Sequence, residues 1–183
     1  MQERQLKETL AQVEATLNDY DMMIKGYKDS YILGGVDDLT IVLDEALANV
    51  NNTLANRYVK AIKPRAEKDS QDIQLIMEIL EKWVEAQRKW MYLENIFTAP
   101  DIKMQMPMES KDFEVCDKFM RNHVKKLVVG PKIIKLTKMP ALNENFSKTV
   151  EMLEKIEKKL EQYLEGKRQL FPRFYFLSND ELL

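Results

Sequence analysis

Apolar side chains recur in steps of three and four along most of this chain, and that spacing restricts it to packed helices. Leu6, Leu10, Val13, Leu17, Tyr20, Ile24 and Tyr27 form the first stripe. Alternating steps of four and three keep one face of a helix turned to a partner. The spacing predicts a helix to about Tyr27, weakened by Gly26 and stopped at Gly34-Gly35, where left-handed or extended backbone is favoured. Leu39, Val42/Leu43, Ala46/Leu47, Val50 and Leu54 predict a second helix starting at Asp37-Asp38, two acids suited to the positive end of a helix dipole. A turn is expected between Asn56 and Pro64, because the residue before a proline avoids helical geometry.

A third stripe runs through Ile73, Ile76/Met77, Leu80, Trp83/Val84, Gln87 and Trp90/Met91 to Leu93 and Phe97. Its helix, from about Arg65 to Phe97, would be roughly 45–50 Å long. Pro100 and Pro107 make Thr98–Pro107 an expected extended loop. Ser110 is a good N-cap for a fourth helix with Phe113, Cys116, Phe119/Met120, His123 and Leu127 on one face, ended by Gly130-Pro131. Residues 132–137 fit either a helical turn or an extended piece. After Pro140 comes a last heptad, Phe146, Thr149/Val150, Leu153, Ile156, Leu160 and Tyr163/Leu164, bracketed by Gly166 and Pro172. Phe171 to Leu177 read as a short aromatic, strand-like piece, and Ser178 to Glu181 as a helix start. The expected fold is all-α, an elongated antiparallel bundle of about five helices with long loops.

Composition supports this. Only 5 glycines and 6 prolines stand against 32% charged and 45% hydrophobic residues, and such chains favour long amphipathic helices. With 28 basic and 30 acidic residues the formal charge is −2, no electrostatic footprint for nucleic acid. Lys125-Lys126 and Lys158-Lys159 read as solvated helix faces. The single cysteine, Cys116, excludes a disulfide within the chain and suits a reducing compartment. No apolar run approaches the roughly 18 residues that span a membrane, and the polar N-terminus is no signal peptide.

Residues for chemistry are scarce. A phosphate loop needs a glycine-rich turn followed by Lys and Ser or Thr. Gly34-Gly35 is followed instead by Val36-Asp37-Asp38, which would repel an anion. Cys116 and the lone His123 share a helix face about 10 Å apart, beyond hydrogen-bond reach, and read as core residues. Zinc would need more ligands. Asp37/Asp38, Asp44/Glu45, Glu154/Glu157 and Glu161/Glu165 fit solvated faces better than a cleft. The 11 methionines read as core filling. Trp83 and Trp90, seven residues apart, read as interhelical anchors rather than a stacking platform for bases. No catalytic, cofactor-binding or metal-ligating residue is expected.

The run from Trp83 to Phe97, with Gln87, Trp90, Tyr92, Leu93 and Glu94, resembles the W-x-x-x-Q-x-x-W-x-Y-L-E-x-I-F stretch of dynein heavy chains. Ala99 to Pro107 looks like that family's proline-bounded loop, and Phe113 to Phe119 is similar to its F-x-x-V-D-x-x-W helix. The block Leu160 to Leu183, with Tyr163, Leu164, Lys167, Arg168, Phe171, Pro172, Arg173, Phe174, Phe176, Asn179 and Asp180, closely matches the L-x-x-Y-L-E-x-K-R-x-x-F-P-R-F-[FY]-F-L-S-N-D-E-[LM]-L block of the dynein linker. Upstream, Asp37 to Asp44 resembles D-D-I-x-x-L-L-D. Together these cover residues 36–183. Two positions depart from the pattern: Asp69 lies near where many relatives have a Trp, and Gly166 stands for a more usual Lys or Glu.

The resemblance implies a non-catalytic mechanical segment of an ATP-driven, minus-end-directed microtubule motor. Residues 36–183 would be the leading portion of the linker, truncated as a helix begins at Asp180, and residues 1–35 a heptad helix at the junction with the tail. ATP and magnesium would be bound by ring modules C-terminal to Leu183. The implied partners are the AAA+ ring of the same heavy chain and other dynein subunits, with microtubules reached only through the parent. No nucleic acid or membrane partner is implied. The location would be cytoskeletal, in a ciliary or flagellar axoneme. Phe171, Phe174 and Phe176 are expected to pack at the turn after the last helix, and Arg173 to cap a carbonyl end or pair with a carboxylate. Thr98–Ser110 and Gly130–Pro140 are expected to articulate the helical layers. Heptads and composition alone fit equally a generic helical interaction module of spectrin-like type.

Overall fold

A computed structural model describes residues 2–139 and 141–170. Among these the chain is helical apart from one small hairpin. The order is α1 (Gln2–Asp19), β1 (Met23–Tyr27), β2 (Ser30–Gly34), α2 (Val36–Ala55), α3 (Lys63–Phe97), α4 (Pro100–Gln105), α5 (Pro107–Val128), a 3-10 helix (Ile133–Lys138) and α6 (Ala141–Leu170). The all-α helical bundle expected from the periodicity is the fold observed. The described residues form two compact units, one of residues 2–82 with those of 124–144, the other of residues 83–123 with those from Asn145 onward.

In the first unit, α1 buries Leu10, Val13 and Leu17, and α2 buries Leu39, Leu43, Ala46 and Val50. The first stripe does not stay helical to Tyr27. The helix ends at Asp19, and the backbone of residues 20–22 pairs instead with residues 131–133: Met22 N donates to Pro131 O at 2.6 Å and Ile133 N to Tyr20 O at 3.0 Å. Ile24 and Tyr27 then lie on an antiparallel hairpin registered from Met23↔Gly34 to Tyr27↔Ser30. Tyr and Ile favour extended backbone, so a 3-4 spacing of such residues is satisfied by a strand once partner backbone is at hand. Lys28 turns the hairpin with a φ of 51°. Gly35, at φ 60°, opens α2 from the left-handed region that glycine reaches without a Cβ clash. The residues left ambiguous at 132–137 become the 3-10 helix, which buries Ile133 and Leu136.

The turn after α2 is where Pro64 requires it, and α3 then runs unbroken for 35 residues. Two proline readings are corrected. Pro100 and Pro107 do not hold an extended loop; each opens a helix. A proline in the first turn lacks only an N–H that the helix leaves unpaired there anyway. Ser110 is accordingly inside α5, buried, and not its N-cap. The last helix passes Gly166 and continues to Leu170, within the bracket expected for its end. One exposed glycine costs only about 1 kcal/mol, less than the stripe Phe146, Leu153, Ile156, Leu160 and Leu164 recovers by burial.

Candidate functional site

In the second unit α3, α5 and α6 contribute an aromatic cluster. Trp83 is fully buried and stacks on Phe146 with ring centroids 5.9 Å apart and planes 12° apart. The His123 ring stands edge-on to both, 4.5 Å from Trp83 and 4.9 Å from Phe146. Phe119 closes the group at 5.3 Å from Phe146. Each pair uses the offset-stacked or edge-to-face geometry that rings prefer. The helical repeat puts Trp83 and Trp90 on one face of α3, and both are core anchors.

Two turns along α3 a polar layer follows. Trp90 Nε1–H donates to Asp117 Oδ1 at 2.8 Å, and Arg121 Nε donates to the same oxygen at 2.9 Å. The Arg121 guanidinium lies over the Trp90 ring, 5.6 Å from its centroid, and its Nη2 is 4.0 Å from Oε2 of buried Glu94. One carboxylate thus takes an indole and a guanidinium, and the guanidinium reaches a second carboxylate. Gln87 and Leu93 are buried beside these, and Phe97 stacks on Phe113 at 5.6 Å. Lys89 bridges to Glu154 at 3.7 Å and Glu157 at 3.6 Å, tying α3 to α6.

The C-terminal block is divided. Leu164 is buried. Tyr163 Oη–H donates to Gln105 Oε1 at 2.8 Å, with Lys167 4.9 Å over its ring. With Tyr92 they border a shallow groove of about 520 Å³. Arg168 pairs with Glu165 at 3.8 Å, and Pro107 is exposed at the start of α5. Phe171, Pro172, Arg173, Phe174, Phe176, Asn179 and Asp180 lie outside the described residues.

Within the second unit these contacts tie α3 to α5 and α6. Cys116 is buried, and burial, followed by the nearby charges of Asp112 and Asp117, pushes its thiol up to about 12. Such a thiol is a core side chain, not a nucleophile. Among the described residues no cluster of His, Cys, Asp or Glu could hold a metal ion, and no helix is long and apolar enough to cross a membrane.

The whole chain, residues 1–183, matches the family described as dynein heavy chain, N-terminal region 2. The chain belongs to the dynein heavy chain family. Its relatives include human dynein axonemal heavy chain 6, 40% identical over 99% of this chain. Rat dynein axonemal heavy chain 12 is 34% identical over 92% of it, and human dynein axonemal heavy chain 10 is 39% identical over 84%. The chain spans only 4%, 6% and 3% of those relatives' lengths, so it corresponds to one N-terminal region of each. Within this dynein heavy-chain region, Trp83, Gln87, Trp90, Leu93, Glu94 and Phe97 all turn inward from α3. Arg121 escaped sequence reasoning; its i,i+4 spacing from Asp117 was the available signal.

Proposed function

We propose that this dynein heavy-chain region is a non-catalytic lever. In this reading residues 36–183 are the leading part of the linker and residues 1–35 its junction with the tail. The lever relays nucleotide-dependent changes of the AAA+ ring to the tail of a minus-end-directed microtubule motor in the axoneme. ATP and magnesium belong to the ring, and contact with microtubules and other dynein subunits belongs to the complete heavy chain.

The observation behind this reading is the lateral bracing of α3 in a region that matches the dynein heavy chain throughout. A lever must resist bending, and close-packed interiors are stiff. Within the second unit α3 is fixed to α6 by Trp83–Phe146 and Lys89–Glu157, and to α5 by Trp90–Asp117. In this reading articulation falls at the breaks beside α4, Ala99 and Met106, each with non-helical backbone.

The test is made in the complete heavy chain with Trp90→Ala. A lever defect slows microtubule gliding by several-fold while ATP turnover without microtubules is retained. Unchanged gliding with demonstrably lowered stability of the region would end the lever reading.

A further inference from the structure

The contact between α1 and α3 in the first unit contains a charge cluster that a lever does not require. Arg65, in the first turn of α3, donates two hydrogen bonds to Glu14 of α1: Nε to Oε1 at 2.8 Å and Nη2 to Oε2 at 2.6 Å. Asp69 lies one turn further along α3 and is only 6% exposed. It lines the same groove as Glu14 and Arg65. Two ionised carboxylates are acceptors only, so neither can satisfy the other without a proton. Asp69 Oδ2 is buried with no hydrogen-bond partner. An ionised Asp69 would leave charge on a buried oxygen with no protein donor.

We propose that Glu14 and Asp69 share one proton across the α1–α3 contact, and that its loss loosens α1 on α3, a pH-sensitive latch on the N-terminal helix. The other charged groups around this contact are Lys68 and Asp72 on α3 and Lys138 at the end of the 3-10 helix, with Asn18 and Thr137 as neutral polar neighbours. Neither lysine is hydrogen-bonded to Asp69 in the way Arg65 grips Glu14.

Burial, then the hydrogen bond and charge of Glu14, push Asp69 up to about 7, while the Arg65 hydrogen bonds hold Glu14 below its ordinary value. Asp69 stands above its ordinary 3.8, so its contribution is whole below that value and is lost as pH rises through about 7. Glu14 has the opposite sign: its contribution is present above 4.5 and is lost as pH falls through its lowered value. The latch is therefore tightest in mildly acidic solution.

Hydrogen exchange of the α1 amides, corrected for intrinsic pH dependence, tests this on the chain. The opening equilibrium of α1 should rise roughly tenfold per pH unit from about pH 5 and level off near 7. Asp69→Asn, which keeps the shape and cannot ionise, should abolish the rise. Should that variant not fold, Glu14→Gln decides: without its charge the rise moves to lower pH. A wild-type profile parallel to that of Asp69→Asn, a rise unmoved in Glu14→Gln, or an equal rise in the amides of α6 would each overturn the latch.

Discussion

Trp90 of α3 donates its indole N–H to the Asp117 carboxylate of α5, and Arg121 donates to the same oxygen while lying over the indole ring. The carboxylate is held from two sides, so the pair locks the rotation of two helices about each other. Trp90→Phe keeps the ring and removes only the donor. It should lower stability in urea unfolding by about 1–2 kcal/mol. A change under about 0.3 kcal/mol would show that Arg121 alone satisfies Asp117.

The stacked rings of Trp83 and Phe146 lie in the aromatic cluster, both with negligible exposure. Trp83→Ala and Phe146→Ala should each cost about 3–5 kcal/mol, from lost burial and the cavity left behind. Because the rings touch, the double variant should fall short of the sum by about 0.5–1.5 kcal/mol. Strict additivity in a double-mutant cycle would contradict the stacking.

Cys116 should be silent towards a water-soluble thiol reagent at about pH 8 in the folded chain and react promptly after unfolding. Its raised value, about 12 against an ordinary 9.0, also sets a sign. The contribution of the buried thiol is whole below the ordinary value and is lost as pH rises through the raised one. Cys116→Ala should therefore flatten the alkaline fall in stability. Fast labelling of the folded chain is the outcome that removes this reading.

Two glycines should respond oppositely to alanine. Gly166 lies within α6 with open space where a Cβ would go. Gly166→Ala should stabilise by about 0.5–1 kcal/mol. Gly35 has a φ of 60°, and an added Cβ would meet the Met23 Cβ at 3.3 Å. Gly35→Ala should destabilise by about 1–2 kcal/mol. Thermal unfolding of both variants checks the pair; equal shifts would mean that α6 breaks at Gly166 or that the hairpin relaxes.

Much of the core was legible because helical packing writes itself into spacing. Leu39, Leu43, Ala46 and Val50 on α2, and Phe146, Leu153, Ile156 and Leu160 on α6, were chosen by the 3.6-residue repeat and are buried. The stripe of α3 likewise marked Trp83, Gln87, Trp90 and Leu93 as inward residues. The misreadings cluster where local signals are symmetric. A proline forbids a helix before it and favours one after it, so Pro100 and Pro107 fitted a loop and two helix starts equally well. Tyr20, Ile24 and Tyr27 fitted a helix face until backbone from residues 131–133 arrived to pair with the chain beside them.

The order of residues by itself determined that this chain would be built of long amphipathic helices, which of their faces would be inside, and which family it belongs to. Periodicity and composition are local quantities, and the chain states them directly. Only the tertiary structure decided that Asp117 would take both Trp90 and Arg121, and that Glu14 would meet Arg65 and Asp69 from 51 and 55 positions away. Such pairs depend on how helices rotate and settle against one another. Side-chain volumes set that rotation collectively, and no window of sequence contains it.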